Sequence, residues 1–296
     1  MSGIVSSGED WFNGPCGSSR VLERNVALRY RGFIFDLDGT IYLSDRLIPR
    51  ADEVVAKVRR TGAKVSFLSN KAIQTSRDYA AKLNRLGIPV SESEVVSSID
   101  ALVMRLSEIA PGARLYVIGE PPLLGALRGA GFTLSSDERA IDYVVLSMDR
   151  TLHYGKLNFA MNAVRNGARL CATNPDRTCP FEGFELPDAG GIIAAVEAVT
   201  GAKVEFIAGK PSPLLIETAL RRMGVDARET VMVGDRLDTD IVMGKNAGAA
   251  TALVLTGVTN RQTLAASDIR PDYVLESVAD ILAWPSPRSR AAHTPA

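Results

Sequence analysis

The sequence has very little histidine and little cysteine. His153 and His293 are the two histidines in 296 residues, which excludes a multi-histidine metal centre and leaves almost nothing for a His-based triad. The three cysteines, Cys16, Cys171 and Cys179, have no CxxC spacing, so neither a disulfide framework nor a structural zinc site is expected. Net charge is missing as well, because 34 basic residues face 34 acidic ones. A nucleic-acid partner would want a basic stripe, and none is expected. No apolar run approaches the roughly 20 residues of a membrane-spanning helix. The Ser- and Gly-rich residues 1–28 lack the apolar block of an export signal. No membrane association is therefore expected, and a reducing, cytoplasmic location is. What is left for chemistry is oxygen: carboxylates and the hard cations they hold.

The remaining composition, 46% hydrophobic and 23% charged, suits a globular chain with a real core. Residues 1–28 and 285–296 read as poorly ordered ends. Between them apolar strands alternate with amphipathic helices. Strands are expected at 32–36, 63–69, 204–208, 230–234 and 251–255, and helices at 51–60, 77–86, 213–223 and 240–247. The segment 274–284 closes the ordered chain. Such alternation predicts an α/β fold with a doubly wound parallel sheet covered on both faces. The middle repeats the alternation on a smaller scale, with strands at 114–118, 143–147 and 169–173 and helices at 157–166 and 191–199. The expected organisation is a catalytic core from 29–97 and 204–284, with a smaller α/β unit, 98–203, inserted into it.

In an open parallel sheet, ligands bind beyond the carboxyl ends of the strands, and four expected strand ends carry reactive residue types. The first is Phe35-Asp36-Leu37-Asp38-Gly39-Thr40. Alternation along an extended strand sends Asp36 and Asp38 to one side. A carboxylate can attack phosphorus as a nucleophile, and a partly protonated neighbour can serve the leaving group as acid and then water as base. Gly39 lets the backbone turn near a phosphate, and Thr40 offers a hydroxyl. Alone, the same run reads as an ordinary Asp-Gly turn. The second, Ser69-Asn70-Lys71, either binds a phosphate oxygen or caps the next helix. In the third, Gly209-Lys210-Pro211, the ammonium either neutralises a carboxylate–phosphate adduct or is a solvated loop lysine. The fourth is Gly234-Asp235-Arg236-Leu237-Asp238-Thr239-Asp240. Asp235 and Asp240 suit a magnesium ion, which takes one or two carboxylates with waters and phosphate, while Asp240 would also favour a helix N-terminus.

Together these four segments, in this order, resemble the haloacid dehalogenase superfamily of phosphohydrolases, over a span from about residue 32 to 283. The resemblance implies a HAD-like Rossmannoid core and a phosphoric monoester hydrolase that forms an aspartyl-phosphate. By the family's pattern Asp36 is the nucleophile and Asp38 the general acid/base. Ser69, with Asn70 beside it, and the Gly39-Thr40 turn meet the phosphate, and Lys210 steadies it. Mg2+ is implied, held by Asp36, the Asp38 carbonyl and Asp235, with Asp240 in support.

Spacing refines this resemblance. Asp36 and Ser69 are 69 − 36 = 33 residues apart, room for one crossover, whereas Ser69 and Lys210 are 210 − 69 = 141 apart. The cap therefore lies in the second insertion position. The segments 146–152 and 172–176 and the Gly190-Gly191 helix start are similar to the p-nitrophenylphosphatase-like (NagD-like) group. Lys71 resembles the acid sugar phosphatases of bacteria. The implied substrate is a small-molecule sugar or polyol phosphate, with nucleoside monophosphate, phosphoglycolate, glycerol phosphate and pyridoxal phosphate as alternatives. A phosphotransferase and a non-catalytic phosphate-binding protein are further readings. The cap segment 173–188 is expected over the pocket. Asn174, Asp176 and Lys71 are the candidates there to touch the leaving group, unless Asn174 and Asp176 serve a Pro-containing turn. A homodimer formed through the cap is compatible with the group.

Overall fold

The computed structural model describes residues 30–181 and 183–284. The expected loose ends at 1–28 and 285–296, with Cys16 and His293, lie outside the described residues. The chain runs through β1 (Gly32–Asp36), the short hairpin β2 (Tyr42–Leu43) and β3 (Arg46–Leu47), α1 (Ala51–Arg60), β4 (Lys64–Ser69), α2 (Ser76–Arg85), β5 (Val95–Ser97) and α3 (Ser98–Ile109). There follow β6 (Arg114–Ile118), α4 (Pro121–Gly129), β7 (Thr133–Leu134), β8 (Tyr143–Leu146), α5 (Tyr154–Arg165) and β9 (Arg169–Ala172). Next come the hairpin β10 (Thr178–Phe181) and β11 (Phe184–Pro187), α6 (Ala189–Thr200) and β12 (Val204–Ile207). The chain closes with α7 (Leu214–Met223), β13 (Thr230–Gly234), α8 (Val242–Asn246), β14 (Ala250–Val254), α9 (Arg261–Ala266) and β15 (Tyr273–Leu275). Among the described residues no helix is long and apolar enough to cross a membrane.

Two parallel sheets result. The larger has the order β15-β14-β13-β1-β4-β5 and the smaller β12-β9-β8-β6-β7. The expected α/β class and the inserted smaller unit are both present. All five residues of β1 are buried, as a central strand covered on both faces requires. Its alternate side chains feed two cores. Phe33 and Phe35 join Val54 and Val58 of α1, and Phe35 stacks on Phe67 at 6.0 Å. Ile34, on the other face, joins Leu215, Ile216 and Ala219 of α7. That second core continues through Leu102 and Leu106 of α3 to Leu115, Tyr143 and Val145 of the smaller sheet. One apolar layer is thus common to both sheets. A third cluster, with Val144, Leu146, Ala160 and Val196, covers the smaller sheet's other face.

One strand sits elsewhere than the expected division at 204 puts it. β12 pairs with β9 through Val204↔Leu170 and Ile207↔Ala172 and is the edge of the smaller sheet. Its half-buried pattern is that of an edge strand, but its apolar run reads the same as a core strand's. The chain re-enters the larger unit only after it. The expected helix at 240–247 is also shorter, because Leu237–Ile241 forms a wide π-type turn before α8. Ile241 N donates to Arg236 O at 3.2 Å, five residues back. Such turns are rare and favour functional sites.

Candidate active site

The carboxyl ends of β1, β4 and β13 converge with the loop that follows β12. Asp36 is the last residue of β1, Ser69 the last of β4, and Asp235 directly follows β13. Lys210 arrives from the smaller sheet's edge strand and is only 4% exposed. Its ammonium pairs with Asp36 Oδ1 and lies 2.8 Å from Asp240 Oδ1. Carboxylate oxygens of Asp36, Asp235 and Asp240 lie within 4.8 Å of one another.

Three buried carboxylates around one ammonium leave an excess of negative charge, and the titration of each group follows from that. Burial pushes the Asp36 carboxyl well above its ordinary value; Lys210 opposes this, while Asp240 and Asp235 add to it. Burial, then the charge of Asp240, pushes Asp235 up to about 6 against the Val258 N–H and Lys210. Burial alone would lower Lys210, but Asp240 and Asp36 outweigh it and hold the ammonium above its ordinary value. Asp235 Oδ2 accepts the Val258 N–H at 2.6 Å, whereas its Oδ1 is buried without a hydrogen-bond partner. A buried carboxylate oxygen without a partner, in a group of three clustered carboxylates, belongs to a donor set that fits a cation.

Glycines make the crowding possible. A Cβ on Gly257 would sit 2.0 Å from Asp235 Oδ2, and one on Gly234 would sit 2.4 Å from Asp240 Cγ. Gly39 has φ +86°, and its Cβ would lie 2.6 Å from Asp235 Oδ2. Its carbonyl accepts the Thr256 hydroxyl at 2.6 Å. The loop after β14 is thereby clamped around Asp235.

Two family models match the chain: one described as haloacid dehalogenase-like hydrolase over residues 33–133, the other as HAD-hydrolase-like over 207–281. Sugar-phosphatase AraL of Bacillus subtilis is 38% identical over 252 residues, 84% of this chain and 91% of that protein. The acid sugar phosphatase of Staphylococcus aureus is 36% identical over 86% of this chain and 98% of its own. The chain belongs to the haloacid dehalogenase-like hydrolases. A solved 4-nitrophenylphosphatase from Thermotoga maritima superposes with a TM-score of 0.81 at 37% identity, covering 86% of this chain and 97% of that one. NagD from E. coli superposes at 0.79, with 34% identity over 85% and 98% of the two chains. This HAD-like hydrolase is a phosphatase, a phosphoric monoester hydrolase.

Of the residues expected at the site, Asp36, Asp38, Ser69, Asn70, Lys71, Asp176, Lys210, Asp235 and Asp240 line one cavity. Asp38 stands on its outer side, half-exposed and 3.4 Å from Lys71 Nζ, and its carboxylate is not part of the close cluster. Gly39, Thr40 and Asn174 do not line the cavity. Gly39 is packed behind Asp235. The Thr40 hydroxyl is fully buried without a hydrogen-bond partner, and Asn174 is buried among Thr173 and Asp176. The HAD-like hydrolase also presents wall residues that sequence reasoning passed over: Thr178, Cys179, Asp188, Arg236, Thr239 and Val258. Arg236 and Thr239 lie inside the fourth motif and could have been read from it. Asp188 accepts Ala189 N at 2.6 Å as the cap of α6, a role that hides a cavity position. Cys179 has no sequence signal at all. Its thiol is pushed up to about 11 by burial, so it is no thiolate nucleophile.

Proposed function

We propose that this phosphatase is magnesium-dependent, works through a phosphoryl group carried on Asp36, and acts on a small sugar or polyol phosphate. The observation that carries the reading is the Lys210 ammonium gripping Asp36 among carboxylates, one of which keeps an unpartnered buried oxygen. The donor set is all oxygen, which fits a hard divalent cation. Asp36, Asp235 and Asp240 would hold it, with the Asp38 carbonyl as the further expected ligand. When bound, it would neutralise charge on the substrate's phosphoryl oxygens.

The chain's own residues do the rest. Lys210 fixes the Asp36 carboxylate by one oxygen and opposes the charge that builds up as it attacks phosphorus. The ester P–O bond breaks as the Asp36 O–P bond forms, and Asp38 gives its proton to the leaving alkoxide. Asp38 then takes a proton from the water that attacks phosphorus, which releases phosphate and frees Asp36. Ser69, at the buried end of β4, lies on the same wall and can donate its hydroxyl to a phosphoryl oxygen. The leaving group faces the inserted unit, where Thr178 and Asp188 supply hydrogen-bonding groups suited to hydroxyls. The two sugar phosphatases among the relatives support that choice. A panel of sugar phosphates, glycerol phosphate, phosphoglycolate, nucleoside monophosphates and pyridoxal phosphate tests it. A clear preference for the last two classes would overturn the substrate assignment.

Two expectations follow for the cation. Asp235 holds its proton to about pH 6 in the folded, metal-free chain, against about 3.9 in an unfolded one. The folded state therefore binds more protons between those values, and this group's contribution to stability falls as pH rises through the window. Melting in EDTA should show that decline, and magnesium at pH 7 should raise the melting temperature by mass action. A melting temperature indifferent to magnesium at pH 7 would remove the cation from the proposal. Gly257→Ala should push Asp235 out of place and weaken magnesium binding by about 10-fold or more, measured by titration calorimetry. Unchanged affinity would show that the clamp around Asp235 is irrelevant to the ion.

A further inference from the structure

We propose that Asn70 and Asp176 form a positioning pin that ties the inserted unit to the loop bearing Lys210, and that neither side chain binds the leaving group. The inference rests on the reading of Lys210 as the residue that grips Asp36. Lys210 lies where the chain passes from β12 of the smaller sheet to α7 of the larger unit, so no regular element fixes its main chain. The Asn70 side chain does. Its Oδ1 accepts the Lys210 N–H at 2.7 Å, and its Nδ2 donates to the Lys210 carbonyl at 3.2 Å. The remaining N–H of Nδ2 goes to Asp176 Oδ2 at 2.8 Å. An asparagine amide offers two N–H donors, and both are thereby used.

Asp176 is held from the other side as well. Asn174 Nδ2 donates to the same Oδ2 at 3.0 Å. Asn174 itself is fully buried, with Thr173 Oγ1 2.8 Å from its Oδ1 and 2.9 Å from Ser147 Oγ. The connection runs unbroken from the end of β8 to the main chain of Lys210. Room for it depends on Gly209, whose Cβ would lie 2.4 Å from Asn70 Oδ1 and 2.7 Å from the Thr173 carbonyl. Ser98 anchors the other end by donating to the Asn70 carbonyl at 2.7 Å. Bonds to a carboxylate are the strong ones. Losing them frees the Asn70 amide, then the Lys210 main chain, then the aim of the ammonium at Asp36. Misplacement of about 1 Å is enough to slow a reaction by two orders of magnitude.

Kinetics with 4-nitrophenyl phosphate separate this role from substrate binding, because its leaving group carries no hydroxyl for Asp176 to hold. Asp176→Ala should lower kcat about 30-fold with KM little changed. Asp176→Asn, whose carbonyl still accepts both amides, should recover most of that loss. Asn70→Asp keeps the acceptor for Lys210 but sets a carboxylate against Asp176, and should be as slow as Asp176→Ala. Because Asn70 and Asp176 act through one bond, the Asn70→Ala/Asp176→Ala double variant should be no slower than the worse single variant. Hydrogen exchange at the Lys210 amide, followed by NMR, should speed up about tenfold in Asp176→Ala. That readout needs no turnover, so an inactive parent protein with a protected Lys210 amide would refute the proposed function and leave the pin standing. Unchanged exchange in Asp176→Ala overturns the pin. So do an additive double variant, an unimpaired Asn70→Asp, or a defect confined to KM for phosphosugars.

Discussion

Asp36→Asn should abolish turnover, by roughly 10⁴-fold or more, the usual scale for removing a group that forms the covalent bond. The substitution keeps the size of the side chain and its hydrogen-bonding edge, so the end of β1 should pack as before. It also removes one of three crowded carboxylates, and Asp36 is held well above its ordinary pKa by burial. The metal-free variant should therefore melt no lower than the parent, and at neutral pH somewhat higher. Loss of activity together with undiminished stability is the signature of a nucleophile rather than a structural residue. Steady-state rates on 4-nitrophenyl phosphate, paired with calorimetric melting, measure both. Acid-quenched parent protein should carry a phosphoryl group in its mass spectrum, and the variant should not. Magnesium-dependent turnover within tenfold of the parent would sink the covalent route.

Lys210→Met should cost both activity and stability. The ammonium lies against Asp36 and Asp240 with its side chain 5% exposed. Removing one partner from a buried pair leaves uncompensated charge, at a cost of about 3–5 kcal/mol. The folded state holds this ammonium above its ordinary value, so its stabilising contribution is present in full below about pH 10. A measurement at pH 7 therefore reads all of it. Lowering the pH to about 5 should shrink the deficit, because the carboxylates take up protons; magnesium should shrink it too, by supplying charge to the same cluster. Activity should fall by roughly 10³-fold even with saturating magnesium, since charge stabilisation at the reacting atoms is lost. Denaturant unfolding in EDTA at both pH values, and again with magnesium, gives the comparison. A variant as stable as the parent at pH 7 without metal would mean that Lys210 does not balance the cluster.

The residues that gather at the cavity were largely legible because each strand end carries its reactive residue types in a few adjacent positions. Asp36, Ser69 and Asp235 each close or follow an apolar run with a turn signal behind it. Lys210 was legible too, although its strand was assigned to the wrong sheet. Pairing partners are set by contacts distant in sequence, and nothing within 204–207 distinguishes an edge of the smaller sheet from a core strand. The direction of the Thr40 hydroxyl was not legible, for a different reason. An Asp-Gly-Thr run says that a turn follows, but not which way the hydroxyl faces, and here it turns inward. Asp188 shows the opposite failure, since a good helix cap needs no second explanation until the tertiary fold places it on the cavity wall. Asn70 and Asp176, 106 residues apart, could not have been joined from sequence at all.

The hairpin of β10 and β11 contributes no described residue to the shared apolar layer or the other clusters, yet it brings Thr178 and Cys179 to the cavity. Phe184 and Glu185 at its turn are exposed. Part of the cavity wall is therefore carried by a hairpin that stands outside the apolar clusters, although Cys179 within it is buried. The floor of the cavity, with Asp36 and Ser69 at the ends of buried strands, is built into the core. On the proposed function, substitutions at Thr178 would alter the ester that fits while leaving Asp36, Lys210 and Asp235 in place, so that substrate range and phosphate chemistry are carried by separate parts of the chain.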